Sequence, residues 1–214
     1  MRERISHCYR TQGYIMKARI TCNANHALGQ QFAELFDEAT FFSRSTGFDA
    51  HGDLSEFLAD TPNYDWTINL TSAPMFGQVK VLAQLDTYCD RHDIKHKVFN
   101  IGSYVGTGLL AEPETSYDIE KSSLKYAHKK IAYEYMFHDN CLDSYLINLG
   151  FLEKLSRGIH EKYQHINTLG LDKVKENVQF MLDRPYIKEM YLQYKQPGNY
   201  RINSGVGILI PGVY

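Results

Sequence analysis

Cys8, Cys22, Cys89 and Cys141 stand far apart, with no CxxC pair or other metal-ligand spacing. That excludes a disulfide framework and a cysteine zinc site, and leaves reduced thiols as the expectation. No apolar stretch approaches the roughly 18 residues of a membrane span, and the N-terminus carries no apolar signal region. A soluble, cytoplasmic protein without a membrane partner is expected. Charge of one sign is missing too: 23 basic side chains face 25 acidic ones, for a net charge of −2. Such a balance gives no field for nucleic acid. Long Pro/Gly/Ser linkers, internal repeats and low-complexity tracts are also absent.

What is present is an ordinary globular composition, 43% hydrophobic and 22% charged, in 214 residues. A chain of that size builds one core. Met1 to Tyr14 is polar and carries Arg2, Arg4 and Arg10, so residues 1–15 are expected to form an extension and 16–214 a single domain.

Hydrophobic periodicity then divides the chain into alternating elements. Lys17 to Cys22 alternates like a strand, and Ala27 to Glu38 places Leu28, Phe32, Leu35 and Phe36 on one helical face. Ala39 to Arg44 and Trp66 to Leu70 are short buried-strand runs, with a short helix, Leu54 to Ala59, between them. Met75 to Cys89 predicts a helix, Lys97 to Gly102 a strand, Ser116 to Phe137 a long helix and Ser144 to Leu149 a strand. Leu171 to Leu182 reads as helix, and Tyr186 to Leu192 and Val206 to Ile210 as strands. Strands alternating with helices imply a doubly wound parallel α/β sheet covered on both faces. Ligands of such sheets bind outside the carboxyl ends of the strands, here after Thr21, Leu70, Gly102 and Leu149.

Tyr117-Asp-Ile-Glu-Lys121 puts a tyrosine and a lysine one helical turn apart. With sixteen tyrosines such pairs arise by chance, and Tyr126 with Lys130 and Tyr191 with Lys195 are two more. Only Tyr117 has a serine fourteen residues upstream at a strand end, Ser103 in Asn100-Ile-Gly-Ser103; Glu112 and Asn177 hold that offset for the others. Here the sequence resembles the short-chain dehydrogenase/reductase family, whose active site joins a strand-end Ser to a YxxxK on the following helix. Lys121-Ser-Ser-Leu124 is similar to the family's K-[SA]-[AS]-L continuation.

The resemblance implies a Rossmann fold and hydride transfer between a nicotinamide dinucleotide and a small-molecule carbonyl or alcohol. Reduction of a carbonyl develops an alkoxide that must be protonated. Tyrosine, with a pKa of about 10, needs help to act near neutrality. A lysine ammonium one turn away favours the phenolate. Tyr117 is thus implied as acid/base, Lys121 as its partner and ribose ligand, and Ser103 as the group orienting the carbonyl oxygen.

The turn Thr21-Cys-Asn-Ala-Asn-His-Ala-Leu-Gly29 stands where the family carries TGxxxGxG around the pyrophosphate. Cys22 replaces the first glycine, His26 the second, and the last arrives one residue late. Thr21, Asn23, His26 and Leu28 are the matching cofactor positions. Arg44, ending the second strand, favours NADP over NAD, because an Arg there accommodates a 2′-phosphate. Asp49 resembles the Asp near the adenine, with the usual intervening helix and strand trimmed. Asn69 keeps the first Asn of the NNAG segment, and Gly150 resembles the Gly after the sixth strand. The family's further catalytic Asn, expected near Met75 to Lys80, is absent, and Gln78 is a candidate substitute.

No metal is expected: His160 and His165 lie five apart and diverge around a helix. The resemblance implies a homodimer or homotetramer through the helices Met75 to Cys89 and Ser116 to Phe137, whose Val79, Leu82, Leu85, Ile131 and Tyr135 lie on more than one face. The alternatives are a catalytically weak dinucleotide-binding sensor or regulator, and a sugar-nucleotide reductase or epimerase with the same triad. The latter's relatives add a larger C-terminal domain than the 65 residues after Leu149.

Overall fold

The computed structural model describes residues 15–71, 77–103, 142–150, 152, 169–192 and 207–209. Within them one sheet contains β1 (Lys17–Ile20), β2 (Glu38–Phe41), β3 (Trp66–Asn69), β4 (His96–Ser103), β5 (Leu142–Leu149), β6 (Glu189–Leu192) and β7 (Gly207–Leu209). Its order is β2-β1-β3-β4-β5-β6-β7. The first six strands are parallel, as a doubly wound Rossmann-type sheet requires. β7 departs from the all-parallel expectation by pairing antiparallel with β6. An antiparallel strand needs no helical crossover, and it covers the hydrogen-bonding edge that β6 would otherwise expose.

The described helices are α1 (Ala27–Ala33), α2 (Ser55–Ala59), α3 (Gly77–His92) and α4 (Leu171–Leu182). The helix expected over Ser116 to Phe137 lies outside the described residues. α1 stops at Ala33, short of the expected Glu38. The amides of Asp37 and Glu38 donate instead to the Met16 carbonyl, at 3.1 and 3.2 Å, and start β2 beside β1 in the register Lys17↔Glu38. Sheet pairing thus overrides a helical periodicity that continues through Phe36. Arg44 accordingly lies beyond the end of β2, in a short 3-10 turn, Arg44–Thr46.

Alternate residues of each strand point to opposite faces. One face presents Ala18, Ile20, Trp66, Ile68, Phe99, Tyr145, Ile147 and Met190 to α1 and α4. On α4, Leu171, Val174, Val178 and Met181 recur at the spacing of one helical stripe and are buried there. Phe32 meets Phe99 edge-on, with ring centroids 5.6 Å apart. On the other face α3 packs Leu82, Leu85 and Cys89 against Val98, Leu142 and Leu146. Leu82 and Leu85 are fully buried by this chain's own sheet, so they do not serve the subunit interface expected of them; Val79 remains half-buried.

The α3 face is also where buried polar side chains gather. Arg19 is fully buried: its Nε donates to Thr67 Oγ1 at 2.7 Å, Nη2 to Thr61 Oγ1 at 2.9 Å and Nη1 to the Phe57 carbonyl. The guanidinium lies over the Phe57 ring, 3.8 Å from its centroid. A single β1 side chain thereby ties α2 and the turn Thr61–Asn63 to the sheet. Thr67 Oγ1 lies 2.8 Å from His96 Nε2. Thr67 Oγ1, which accepts from Arg19, shares one proton with His96 Nε2, the donor being set by the tautomer of the ring. Burial, with Arg19 adding to it, pushes the His96 pKa down to about 3. Burial also lowers the Arg19 pKa to about 10, so it stays charged at neutrality.

Candidate functional site

Six parallel strands bring their carboxyl ends to one edge of the sheet. The registers Ile20↔Ile68, Asn69↔Asn100 and Ser103↔Leu149 align the segments after β1, β3, β4 and β5 there. Strand order reverses between β1 and β3, since β2 lies on one side of β1 and β3 on the other. This is the crevice where such sheets take their ligands. Of Ser103 the backbone position is described, as the last residue of β4 opposite Leu149. Tyr117 and Lys121 lie outside the described residues.

The β1–α1 turn is held together by its own groups. Asn23 Oδ1 accepts from the Asn25 amide at 2.9 Å, the Asn23 carbonyl accepts from the His26 amide at 2.9 Å, and His26 Nδ1 caps α1 by accepting from the Gly29 amide at 3.3 Å. A Cβ on Gly29 would overlap the Cys22 sulfur, so the bare glycine makes room for the side chain that stands in place of the family's first glycine. Burial pushes the Cys22 pKa up to about 12 and lowers that of His26. The thiol is protonated and the ring neutral at pH 7. Ala27 and Leu28 open the helix, where amides have no intrahelical acceptor. The Leu28 side chain is buried in the core, so a contact to a bound group falls to its backbone. Thr21 is also buried, its hydroxyl accepting from Thr71 Oγ1 at 2.8 Å.

Beside this turn lies an amide network. Asn69 is fully buried, and its Nδ2 donates to the Gln78 carbonyl at 3.0 Å and to Asn100 Oδ1 at 3.2 Å. Asn100 Nδ2 donates to Ser144 Oγ at 3.0 Å. Asn69 therefore braces the floor of the crevice through its side-chain amide. Asn100 and Ser144 escaped sequence reading. Their signal is a pair of polar residues two or four positions apart on one strand face: Thr67 and Asn69, His96 and Asn100, Ser144 and Asn148.

Solved structures share this fold. A short-chain dehydrogenase from Burkholderia cenocepacia in complex with NADP superposes with a TM-score of 0.59 at 13% identity, over 82% of this chain and 87% of that one. One from Leptospira borgpetersenii with bound NAD+ gives 0.60 at 12% identity, over 88% and 93%. A bulky-bulky ketone specific alcohol dehydrogenase from Comamonas testosteroni gives 0.56 at 13% identity, over 83% and 86%. The chain has the short-chain dehydrogenase fold. Neither a family model nor a curated protein matches it in sequence, so the likeness is one of fold.

Within the short-chain dehydrogenase fold the trimmed segment is now visible. From β2 the chain passes through Arg44–Thr46, α2 and Thr61–Asn63 and goes directly to β3, so β2 is the edge of the sheet. Arg44 and Asp49 are both exposed in this segment. Asp49 Oδ1 accepts from the His51 amide at 3.0 Å. Lys80 of α3 donates to the carbonyls of His51 and Gly52, both at 3.0 Å, and ties the loop to α3. Gly150 follows β5 at the same edge, its amide donating to the Leu192 carbonyl at 2.9 Å. Among the described residues no helix is long and apolar enough to cross a membrane.

Proposed function

We propose that this chain is an NAD(P)-dependent oxidoreductase of the short-chain dehydrogenase family, acting on a carbonyl or alcohol. The observation that carries this reading is the place of Ser103, at the carboxyl end of β4 in a sheet of this fold, with the YxxxK of Tyr117 and Lys121 following in sequence. Tyr117 protonates the developing alkoxide, and in the reverse direction accepts the alcohol proton. Lys121 favours its phenolate, and the Ser103 hydroxyl orients the carbonyl oxygen. When bound, the nicotinamide supplies or accepts the hydride. The amides of Ala27 and Leu28 face the pyrophosphate, with Thr21, Asn23 and His26 forming the wall of that turn. Arg44 receives the 2′-phosphate, which favours NADP; Asp49 lies on the adenine side, and Gly150 on the nicotinamide side.

The protein acts as a cytoplasmic homodimer or homotetramer on a small-molecule substrate, with residues 16–214 as its catalytic domain. A thermal-shift comparison tests the foundation of this reading. NADPH is expected to raise the melting temperature more than NADH; no shift with either at millimolar concentration overturns it. A second reading is a dinucleotide sensor without turnover, which the side-chain-bearing turn at Cys22 and His26 favours. Stabilisation by NADPH without oxidation of it by any of a panel of aldehydes and ketones would support the sensor.

A further inference from the structure

The β3–β4 ladder ends at Asn69↔Asn100, whereas β4 continues beside β5 as far as Ser103↔Leu149. Beyond Asn100 the end of β4 is thus paired along one side. Gln78, in the first turn of α3 and 2% exposed, enters on the other side. Its Nε2 donates to the Asn69 carbonyl at 2.6 Å and to the Ile101 carbonyl at 3.0 Å. A side-chain amide has two N–H bonds, and both are engaged where the strands part. The ring closes through Asn69 Nδ2, which donates back to the Gln78 carbonyl at 3.0 Å.

From this we infer that Gln78 is a positioning residue for Ser103, replacing the missing β3 rung and holding the last residues of β4 in place. The inference rests on the oxidoreductase reading above and adds to it the group that sets the serine's position. A serine that orients a reacting carbonyl must be placed to within a fraction of an ångström, and a half-buried carbonyl deprived of its donor turns towards another partner. Ile101 is two residues from Ser103, so its displacement is passed along the backbone.

The test uses the full chain and Gln78→Met, which keeps the side chain's length and removes both donors; Gln78→Asn, polar but too short to reach both carbonyls, serves if the first does not fold. Amide hydrogen exchange over Asn100 to Ser103 is expected to quicken, while NADPH affinity by fluorescence holds. With a carbonyl substrate found by panel screening, kcat is expected to fall by roughly ten- to a hundredfold at unchanged KM for NADPH. In a Ser103→Ala background Gln78→Met is expected to cost nothing further in kcat. The same loss with and without Ser103, or unchanged exchange at the end of β4, overturns the inference. A wild-type protein that oxidises NADPH with no carbonyl overturns instead the reading on which the catalytic half rests.

Discussion

The sulfur of Cys22 occupies the space that a Cβ on Gly29 would need. With the Cys22 thiol in that position, any larger residue at position 29 must displace it. Gly29→Ala is expected to destabilise the protein by about 1–3 kcal/mol, the usual cost of overpacking, or a fall in Tm of several degrees for a chain of this length. In a Cys22→Gly background the same substitution should be nearly neutral. Equal losses in both backgrounds, measured by thermal or urea unfolding, would refute the pairing of these two positions.

Tyr117→Phe is expected to abolish turnover and leave cofactor binding intact, because it removes the proton donor and keeps the ring. Tyr126→Phe, in the neighbouring YxxxK, should at most perturb packing. Steady-state kinetics on an identified substrate decide between them, and an inactive Tyr126→Phe beside an active Tyr117→Phe would show that the other pair carries the chemistry.

Arg44 is exposed in the turn after β2. Arg44→Ala is expected to weaken NADPH binding more than NADH binding, since a charge-assisted hydrogen bond contributes about 1.5–3 kcal/mol, or one to two orders of magnitude in affinity. Titration of both cofactors against both proteins measures the difference. Equal losses would remove the 2′-phosphate from this residue.

His96 makes stability depend on pH. Its folded pKa, about 3, lies below the ordinary value of 6.5, so between those values the unfolded chain binds the proton more readily. The contribution is complete above pH 6.5 and is lost as pH falls towards 3, by up to about 1.4 kcal/mol per unit. Unfolding free energies between pH 7 and pH 4 should show this slope in the wild type and a shallower one in His96→Gln. Parallel profiles would assign the acid sensitivity elsewhere.

The proposed homodimer or homotetramer interface loses Leu82 and Leu85, which are enclosed by the sheet, and keeps Val79 among the described residues of α3. Light scattering at tens of micromolar is expected to report at least twice the 24.7 kDa of the chain. A monomer would sink the interface.

Periodicity alone located α4 at Leu171–Leu182, and the alternation of apolar runs and turns was enough to imply a doubly wound sheet and the edge at which its ligand binds. These features are local, since a stripe of one face or a buried strand leaves its pattern within a dozen residues. The proposal of Tyr117 over two rival pairs is likewise a reading of local spacing to Ser103, and Tyr117 and Lys121 lie outside the described residues. Tertiary structure decided the rest. It ended α1 at Ala33, where pairing with β1 prevailed over helical continuation. It set β7 antiparallel at the edge, and engaged Asn69 and Gln78 in bracing the crevice. It also joined Arg19 to Thr67, 48 residues away, and Thr67 to His96, 29 residues away. Nothing in the neighbourhood of Arg19 marks it as buried. Its burial is tolerable because hydroxyls, a carbonyl and a ring from distant segments converge on it, and that convergence exists only once the sheet has formed.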